Sequence, residues 1–266
     1  MTWTSLAEAA VAVLATAEPA GKVELTEMAA TAWRAETIRS LGAVRPPDRP
    51  ARPARPQTLP PNRMPKRRLG GAGGRIAMLH ALAHIELNAI DLAWDIIARF
   101  ATPDLPRAFL DDWVVVAQEE ARHFTALDEL LGELGSAYGA LPAHDGLWEA
   151  AQKTSDDLLA RLAIVPMTLE ARALDTAPAT IARLAAAGET AIVSVLEKIL
   201  EDEISHVEAG VRWFRHLCET TGLDPARHYQ AIAGAHFTKG LKAPFNRAAC
   251  DRAGFPPAYY EPLAVD

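Results

Sequence analysis

Apolar residues recur three and four positions apart along several long stretches of the chain, with polar residues between them. This spacing matches the 3.6-residue turn of an α-helix. The three longest patterns cover about residues 75–100, the stretch from the turn at 102–106 to about 134, and 189–221. Alanine is abundant, glycine is sparse and runs of β-branched residues are few, which also favours helices. The pattern predicts an all-α protein.

Shorter periodic segments predict five further helices, over about residues 5–17, 24–40, 147–162, 176–187 and 224–240, with a break at Pro19–Gly21 between the first two. Pro166 predicts a kink through which the 147–162 segment reaches Glu170. Asp104 is predicted to cap the second long helix, and Asp175 or Thr176 the short helix after Glu170. The last residues, with four prolines, are expected to be irregular and to pack back on the helices.

Residues 43–73 differ in composition from the rest of the chain. Eight prolines between positions 46 and 65 exclude a helix interior and favour an extended strap. The strap is also basic, with a single acidic residue, Asp48, against Arg45, Arg49, Arg52, Arg55, Arg63, Lys66, Arg67 and Arg68. It could bind an anionic partner. We favour the alternative, in which the strap wraps the acidic remainder of its own chain.

Overall composition limits the classes of partner and compartment. The chain has 266 residues, half of them hydrophobic, and a net charge of −7, so as a whole it is not a polyanion binder. Glu8 interrupts the apolar N-terminal run and no basic residue precedes it, which argues against a secretory signal. No segment is expected to span a membrane. The two cysteines, Cys218 and Cys250, form no CxxC motif, and we predict a cytoplasmic protein.

Two Glu-x-x-His motifs carry the candidate chemistry. Glu120 and His123 lie three residues apart in one long helix, and Glu203 and His206 in another, so each pair would share one helix face. The chain also repeats a preceding glutamate at similar spacing: Glu86 lies 34 residues before Glu120, and Glu170 lies 33 residues before Glu203.

The spacing predicts that each glutamate lies level with its motif. In an antiparallel helical hairpin, two residues stand at the same height when they are equidistant from the turn. The midpoint between Glu86 and Glu120 is Pro103, and that between Glu170 and Glu203 falls next to Gly188, both at predicted turns. At about 1.5 Å of rise per residue, each ligand would lie roughly 25 Å from its turn, near the middle of a bundle.

The six residues together predict a dimetal site. A single Glu–His pair is more often an exposed helical pair than a ligand pair, but six ionisable groups at mid-bundle are costly without a metal. The set matches the carboxylate-bridged dimetal arrangement of helical bundles. Oxygen-rich sites with one histidine each favour two Fe ions, with Mn or mixed Fe/Mn as alternatives. The predicted metal ligands are Glu86, Glu120, His123, Glu170, Glu203 and His206.

The chain resembles the ferritin-like superfamily of di-iron carboxylate proteins. More narrowly, it is similar to a bacterial ferritin-like family grouped as domain of unknown function 455. The narrow resemblance rests on Met64–Arg67, His80–Glu86, Glu119–Phe124 and Lys242–Asn246.

The resemblance implies a ferritin-like four-helix bundle with a long crossover between its second and third helices. The predicted parts of the chain are an N-terminal helical lead-in (1–42), the strap (43–73), the bundle (74–222) and a C-terminal helix with an irregular tail (223–266).

The function expected from this site is an oxidoreductase. It would use O₂ and an external reductant to hydroxylate or otherwise oxidise a small organic substrate, in a pocket lined by Leu82, Val116, Met167, Ile199 and Val207. Ferroxidase, iron-handling or peroxide-scavenging activity without an organic substrate is the first alternative. An RNA-directed hydroxylase that uses the strap is the second, and the net charge argues against it. A metal-free scaffold and a homodimer are left open.

His80 and His84 are not counted as ligands. They stand four residues apart on the first long helix, but Glu86 lies about 200° round the helix from His84, so the three cannot readily serve one site. We predict that the two histidines contact the strap or the tail. Glu119, Glu201 and Asp202 flank the motifs and are expected to be solvated or to orient the ligands.

Overall fold

The computed structural model describes residues 3–65 and 71–265. Most of these residues are helical, in agreement with the predicted all-α class. The chain forms two compact units, Met1–Gln152 and Lys153–Asp266. The predicted four-part division stays a prediction.

The first unit is built on an antiparallel hairpin of two long helices. Its helices are α1 (Leu6–Leu14), α2 (Pro19–Arg34), α3 (Gly71–Phe100), α4 (Arg107–Glu133) and α5 (Gly146–Lys153). The turn between α3 and α4 contains Pro103, as predicted. Helices α1 and α2 pack on the hairpin, and every residue of α3 from 86 to 97 is buried. The core of this unit therefore surrounds α3.

Two predicted helix starts in this unit were wrong. Helix α2 begins at Pro19 rather than near residue 24, because proline is well suited to the first helical position, where no N–H donor is needed. Helix α4 begins after Pro106, and Asp104 does not cap it. Ser5 does cap α1, since its hydroxyl accepts a hydrogen bond from Glu8 N at 3.3 Å.

The strap runs over the surface of the first unit. Residues 43–65 contain no helix except a 3-10 turn at Pro61–Arg63, which fits the predicted extended conformation. Backbone hydrogen bonds attach it at two places. Ala51 N donates to Leu14 O (2.7 Å), and at Ala143 the bonds are Leu59 N to Ala143 O (2.8 Å) and Ala143 N to Gln57 O (3.0 Å). Lys66, Arg67 and Arg68 lie outside the described residues.

The second unit is organised around its longest helix. Its helices are α6 (Leu158–Ile164), α7 (Ala171–Ala186), α8 (Thr190–Thr220), α9 (Pro225–His236), α10 (Arg247–Arg252) and α11 (Pro257–Tyr260). A π-helical turn, Val165–Glu170, joins α6 to α7, and a 3-10 turn covers Glu261–Leu263. Two short parallel strands, β1 (Leu241–Lys242) and β2 (Ala264–Val265), pair Leu241 with Ala264. The predicted turn at Gly188 and end at Gly222 are confirmed.

Three predictions for this unit need correction. Asp175 and Thr176 do not begin a helix, because α7 starts at Ala171 and runs through Pro178. Residues 147–162 are not one helix, since the chain breaks before Asp157, whose side chain caps α6 by accepting from Ala160 N at 3.1 Å. The tail beyond residue 240 is not wholly irregular, as it forms the short elements named above.

Helix α3 also corrects the expectation that no segment could span a membrane. It is long and apolar enough to do so by length and composition. Two thirds of its most apolar window is buried within the protein, as in the core helix of a soluble domain, which passes the same test.

Candidate metal centre

In the first unit, the α3–α4 hairpin brings together three of the predicted ligands. Glu86 on α3 is 4 % exposed, and Glu120 and His123 on α4 are 0 % and 4 % exposed. Each of the three offers one ligand atom, and these atoms lie within 4.8 Å of one another. His123 Nδ1 lies 3.4 Å from Glu86 Oε2 and 3.5 Å from Glu120 Oε2. The predicted level placement is confirmed for this hairpin.

Burial and mutual proximity perturb the ionisation of this cluster. Burial, together with the charge of Glu120, raises the pKa of Glu86 to about 8. For His123, burial alone would lower the pKa, but Glu120 and Glu86 outweigh it and raise the pKa to about 11. Without a cation, the cluster therefore holds protons that a bound metal would displace.

These residues fit a metal ion. Glu86 Oε2 is buried, and the charged group beside it is His123 Nδ1 at 3.4 Å. Buried carboxylates are costly without a compensating cation, which here is the protonated His123 ring or, once that ring gives up its proton, a bound metal ion. The donor set of two carboxylates and one imidazole suits a divalent metal ion such as Fe, Mn or Zn.

In the second unit, helix α8 carries the other motif. Glu203 and His206 are 4 % and 0 % exposed, and His206 Nδ1 lies 3.8 Å from Glu203 Oε1. Glu170 is half-buried and is the last residue of the π-helical turn, directly before α7. Helices α7 and α8 pack against each other and are joined at residues 187–189, where the spacing of the glutamates predicts the turn. Pro166, the predicted kink, lies inside the π turn.

A second buried polar face lies on α3, and of its residues the sequence pattern had singled out only His84. It consists of His84, Asn88, Asp91 and Asp95, spaced four, three and four residues apart. Asp91 accepts hydrogen bonds from Lys22 Nζ at 2.5 Å and from Arg52 at 2.6 Å. The helical spacing of these polar residues within an apolar helix was the available signal.

His80 and His84 contact the connection between α4 and α5, which corrects their predicted partners. His80 Nε2 accepts hydrogen bonds from Gly139 N (2.9 Å) and Leu141 N (3.3 Å). His84 Nδ1 lies 2.8 Å from the Tyr138 hydroxyl, and its Nε2 lies 3.1 Å from His144 O. The strap reaches His84 indirectly, because Arg52 binds Asn88, which in turn binds the His84 carbonyl at 2.6 Å.

The first unit also contains a surface cavity of about 600 Å³ beside the C-terminal half of α2. It is mainly apolar, and its walls include Trp3, Met28 and Ile38. None of the predicted ligands or substrate-pocket residues lines it. Of the predicted pocket residues, Leu82 is half-buried and the other four are buried. The substrate pocket stays a prediction.

The molecule is thus a mostly helical protein in which buried glutamate and histidine side chains could bind a metal. A family model described as "Protein of unknown function (DUF455)" matches residues 15–261, so the chain belongs to this family. It is also similar to an "Uncharacterized protein" from Haemophilus influenzae, with 40 % identity over 206 residues, which cover 76 % of this chain and 72 % of the relative. No solved structure matches. The predicted membership of the DUF455 family is confirmed, and the resemblance to the ferritin-like superfamily stays a prediction.

Proposed function

We propose that this protein is a di-iron carboxylate oxidoreductase, with Mn or mixed Fe/Mn as alternative metals. The single observation that carries the proposal is the buried cluster of Glu86, Glu120 and His123, whose ligand atoms lie within 4.8 Å of one another. The repeat in the sequence gives the same role to the set Glu170, Glu203 and His206. This repeat is the reason for proposing two metals, in a ferritin-like four-helix bundle.

In this proposal, the protein's own side chains bind and orient the metal ions. Nδ1 is the His123 nitrogen that faces the carboxylates, so it would bind the metal and would give up its proton on binding. His206 presents the same nitrogen to Glu203. Buried apolar neighbours on α4, Val116 and Phe124, exclude water from the helix faces beside the ligands. When bound, iron would supply reactivity toward O₂ and one-electron redox steps.

The reaction class that we propose is O₂-dependent hydroxylation or oxidation of a small organic substrate. Insertion of one oxygen atom into a C–H bond, with the other released as water, consumes two electrons and two protons besides those of the substrate. An external reductant is therefore part of the proposal.

Metal analysis tests the centre. Protein purified from iron-replete cells should contain two metal ions per chain, and Glu120→Gln should lose at least one of them, because an amide replaces a charged ligand. Glu129→Gln is the matched control, since it makes the same change on the same helix at an exposed position and should retain both ions.

A second experiment tests the O₂ chemistry. Anaerobic loading with Fe(II) followed by rapid mixing with O₂ should produce a transient visible absorption band in the wild type and in Glu129→Gln, and none in Glu120→Gln. Two bound metals without any such band would argue against an oxygenase. Absence of metal from the wild type would contradict the centre itself.

A further inference from the structure

The π-helical turn Val165–Glu170 sets the helix face on which Glu170 lies. A π turn contains one residue more than an α turn, so the residues at its end are rotated by about 100° relative to an uninterrupted α-helix. Pro166 lies in the turn and has no N–H to continue an α-helical ladder. If the turn relaxed to α geometry, Glu170 would leave its present helix face.

A buried hydrogen-bond chain holds this turn. Thr168 Oγ1 donates to Ala163 O at 2.7 Å and lies 2.7 Å from the Tyr229 hydroxyl on α9. A threonine hydroxyl has one proton, so the Tyr229 hydroxyl is the donor to Thr168 Oγ1. Thr168 and Tyr229 are 5 % and 0 % exposed, which makes this bond costly to lose. Burial raises the pKa of Tyr229, so its hydroxyl stays protonated and able to donate.

The residues that follow Glu170 are fixed by the Lys242–Asn246 motif. Asn246 Nδ2 donates to Leu174 O at 3.0 Å, and Asn246 N donates to Asp175 Oδ1 at 2.8 Å. Arg172 donates to Lys242 O at 2.6 Å. The start of α7 is therefore anchored to this motif, while α9 anchors the turn before it.

We infer that Tyr229 is a positioning residue for Glu170, acting through Thr168 to keep the π turn in the geometry that presents this carboxylate to a metal. The inference rests on the proposed function. Tyr229 orients one ligand of the second half of the centre. Loss of its hydroxyl should therefore weaken the binding of one metal ion and leave the binding of the other unchanged.

Anaerobic Co(II) titration of the full chain, followed by visible absorption and equilibrium dialysis, tests this role. The wild type should bind two Co(II) ions. Tyr229→Phe and Thr168→Val each remove one hydroxyl with little change in shape. Each should lower the affinity for one of the two Co(II) ions about 10- to 100-fold and leave the affinity for the other unchanged. Thr168→Ser keeps the hydroxyl and should bind both Co(II) ions with wild-type affinity.

Tyr259→Phe is the matched control. The Tyr259 ring lies 5.8 Å from that of Tyr229 in the same aromatic cluster, so this variant tests packing without touching the Thr168 bond. It should bind both ions as the wild type does. If Tyr229→Phe fails to fold, the comparison of Thr168→Val with Thr168→Ser shows whether the hydroxyl contact affects Co(II) binding.

Three results would overturn the inference while the proposed centre stands: unchanged affinities in Tyr229→Phe and Thr168→Val, equal weakening of both ions, or the same weakening in Tyr259→Phe. A wild type that binds no Co(II) would instead contradict the proposed function, and the inference would fall with it.

Discussion

His84 and Glu86 are both buried on α3, and burial moves their pKa values in opposite directions. The pKa of Glu86 rises to about 8 and that of His84 falls to about 4. In both residues burial is the largest cause, because it disfavours the charged form, and the Arg52 charge lowers the pKa of His84 further. The neutral His84 ring donates from Nε2 to His144 O and accepts from Tyr138 at Nδ1.

His84 should make folding stability depend on pH. Its pKa is about 4 in the folded state against an ordinary value of 6.5, so between these values the unfolded chain binds more protons. Its contribution is present above pH 6.5 and is lost as the pH falls to 4, by up to about 3 kcal/mol.

Urea unfolding with EDTA at pH 7, 5.5 and 4.5 would measure this loss in the wild type and in His84→Gln. The variant should be less stable at pH 7, and its free energy of unfolding should fall less steeply as the pH is lowered. Parallel declines in the two proteins would contradict the assignment.

Lys22 is a fully buried cation whose removal should be costly. Its Nζ lies 2.5 Å from Asp91 and 3.2 Å from Val13 O. Burial lowers the pKa of Lys22, and the Asp91 charge opposes that shift. Lys22→Met should reduce the free energy of unfolding by about 3 kcal/mol, because Asp91 stays buried with one cation fewer.

Lys198→Met provides the control for this change. Lys198 pairs with Asp202 on the surface of α8 and its side chain is 69 % exposed. Chemical denaturation should show a change within about 0.5 kcal/mol for this variant. Equal losses of unfolding free energy in the two variants would show that burial of the ion pair does not determine its contribution to stability.

At the scale of elements, the contact between α8 and the π turn depends on a glycine. A Cβ added to Gly210 would lie 2.7 Å from Pro166 Cβ and 2.8 Å from its Cγ, and a proline ring cannot move aside. Gly210→Ala should therefore destabilise the protein by about 1–2 kcal/mol, since overpacking exceeds the gain in helix propensity.

Gly132→Ala makes the same substitution in α4, where a Cβ would meet nothing within 4 Å. It should stabilise the protein by about 0.5–1 kcal/mol. Thermal denaturation of the two variants should show shifts of opposite sign, and shifts of the same sign would contradict the packing argument.

Among the elements, periodicity predicted α3, α4 and α8 well because each has many residues on a continuous apolar face. Local cap signals were less reliable. Asp175 resembles a helix start, but Asn246 and Arg172 bind its carboxylate in the middle of a helical segment. A side chain that resembles a helix cap can bond to the backbone of its own helix start, but it can equally bond to a partner that is distant in sequence.

At the scale of the whole molecule, charge is segregated along the chain. Residues 43–68 contain eight of the 27 basic residues and one of the 34 acidic ones. Within the first unit, Arg49 pairs with Asp145, and Arg52 pairs with Asp91. These contacts support the interpretation that the strap wraps its own chain. Arg45, Arg55 and Arg63 are exposed.

Helix α3 yields a prediction about membranes. By composition it could span a bilayer, but it carries Glu86, Asp91 and Asp95, and burying these charges in lipid would be costly. Alkaline carbonate washing of a cell membrane fraction should therefore release the protein. Retention in the pellet, alongside a known spanning protein, would show that α3 inserts. The predicted cytoplasmic location stays a prediction.

The helical class, the α3–α4 and α7–α8 turns and the pairing of Glu86 with Glu120 and His123 can all be predicted from the sequence. Each follows from periodicity and from equal distances to a turn, which are local properties of a helix. The π turn before Glu170, the partners of His84 and the buried contacts of Lys22 and Arg52 become visible only in the folded chain. These depend on which distant groups meet, because a buried polar side chain is satisfied by any partner of suitable geometry and its neighbours in sequence do not specify which.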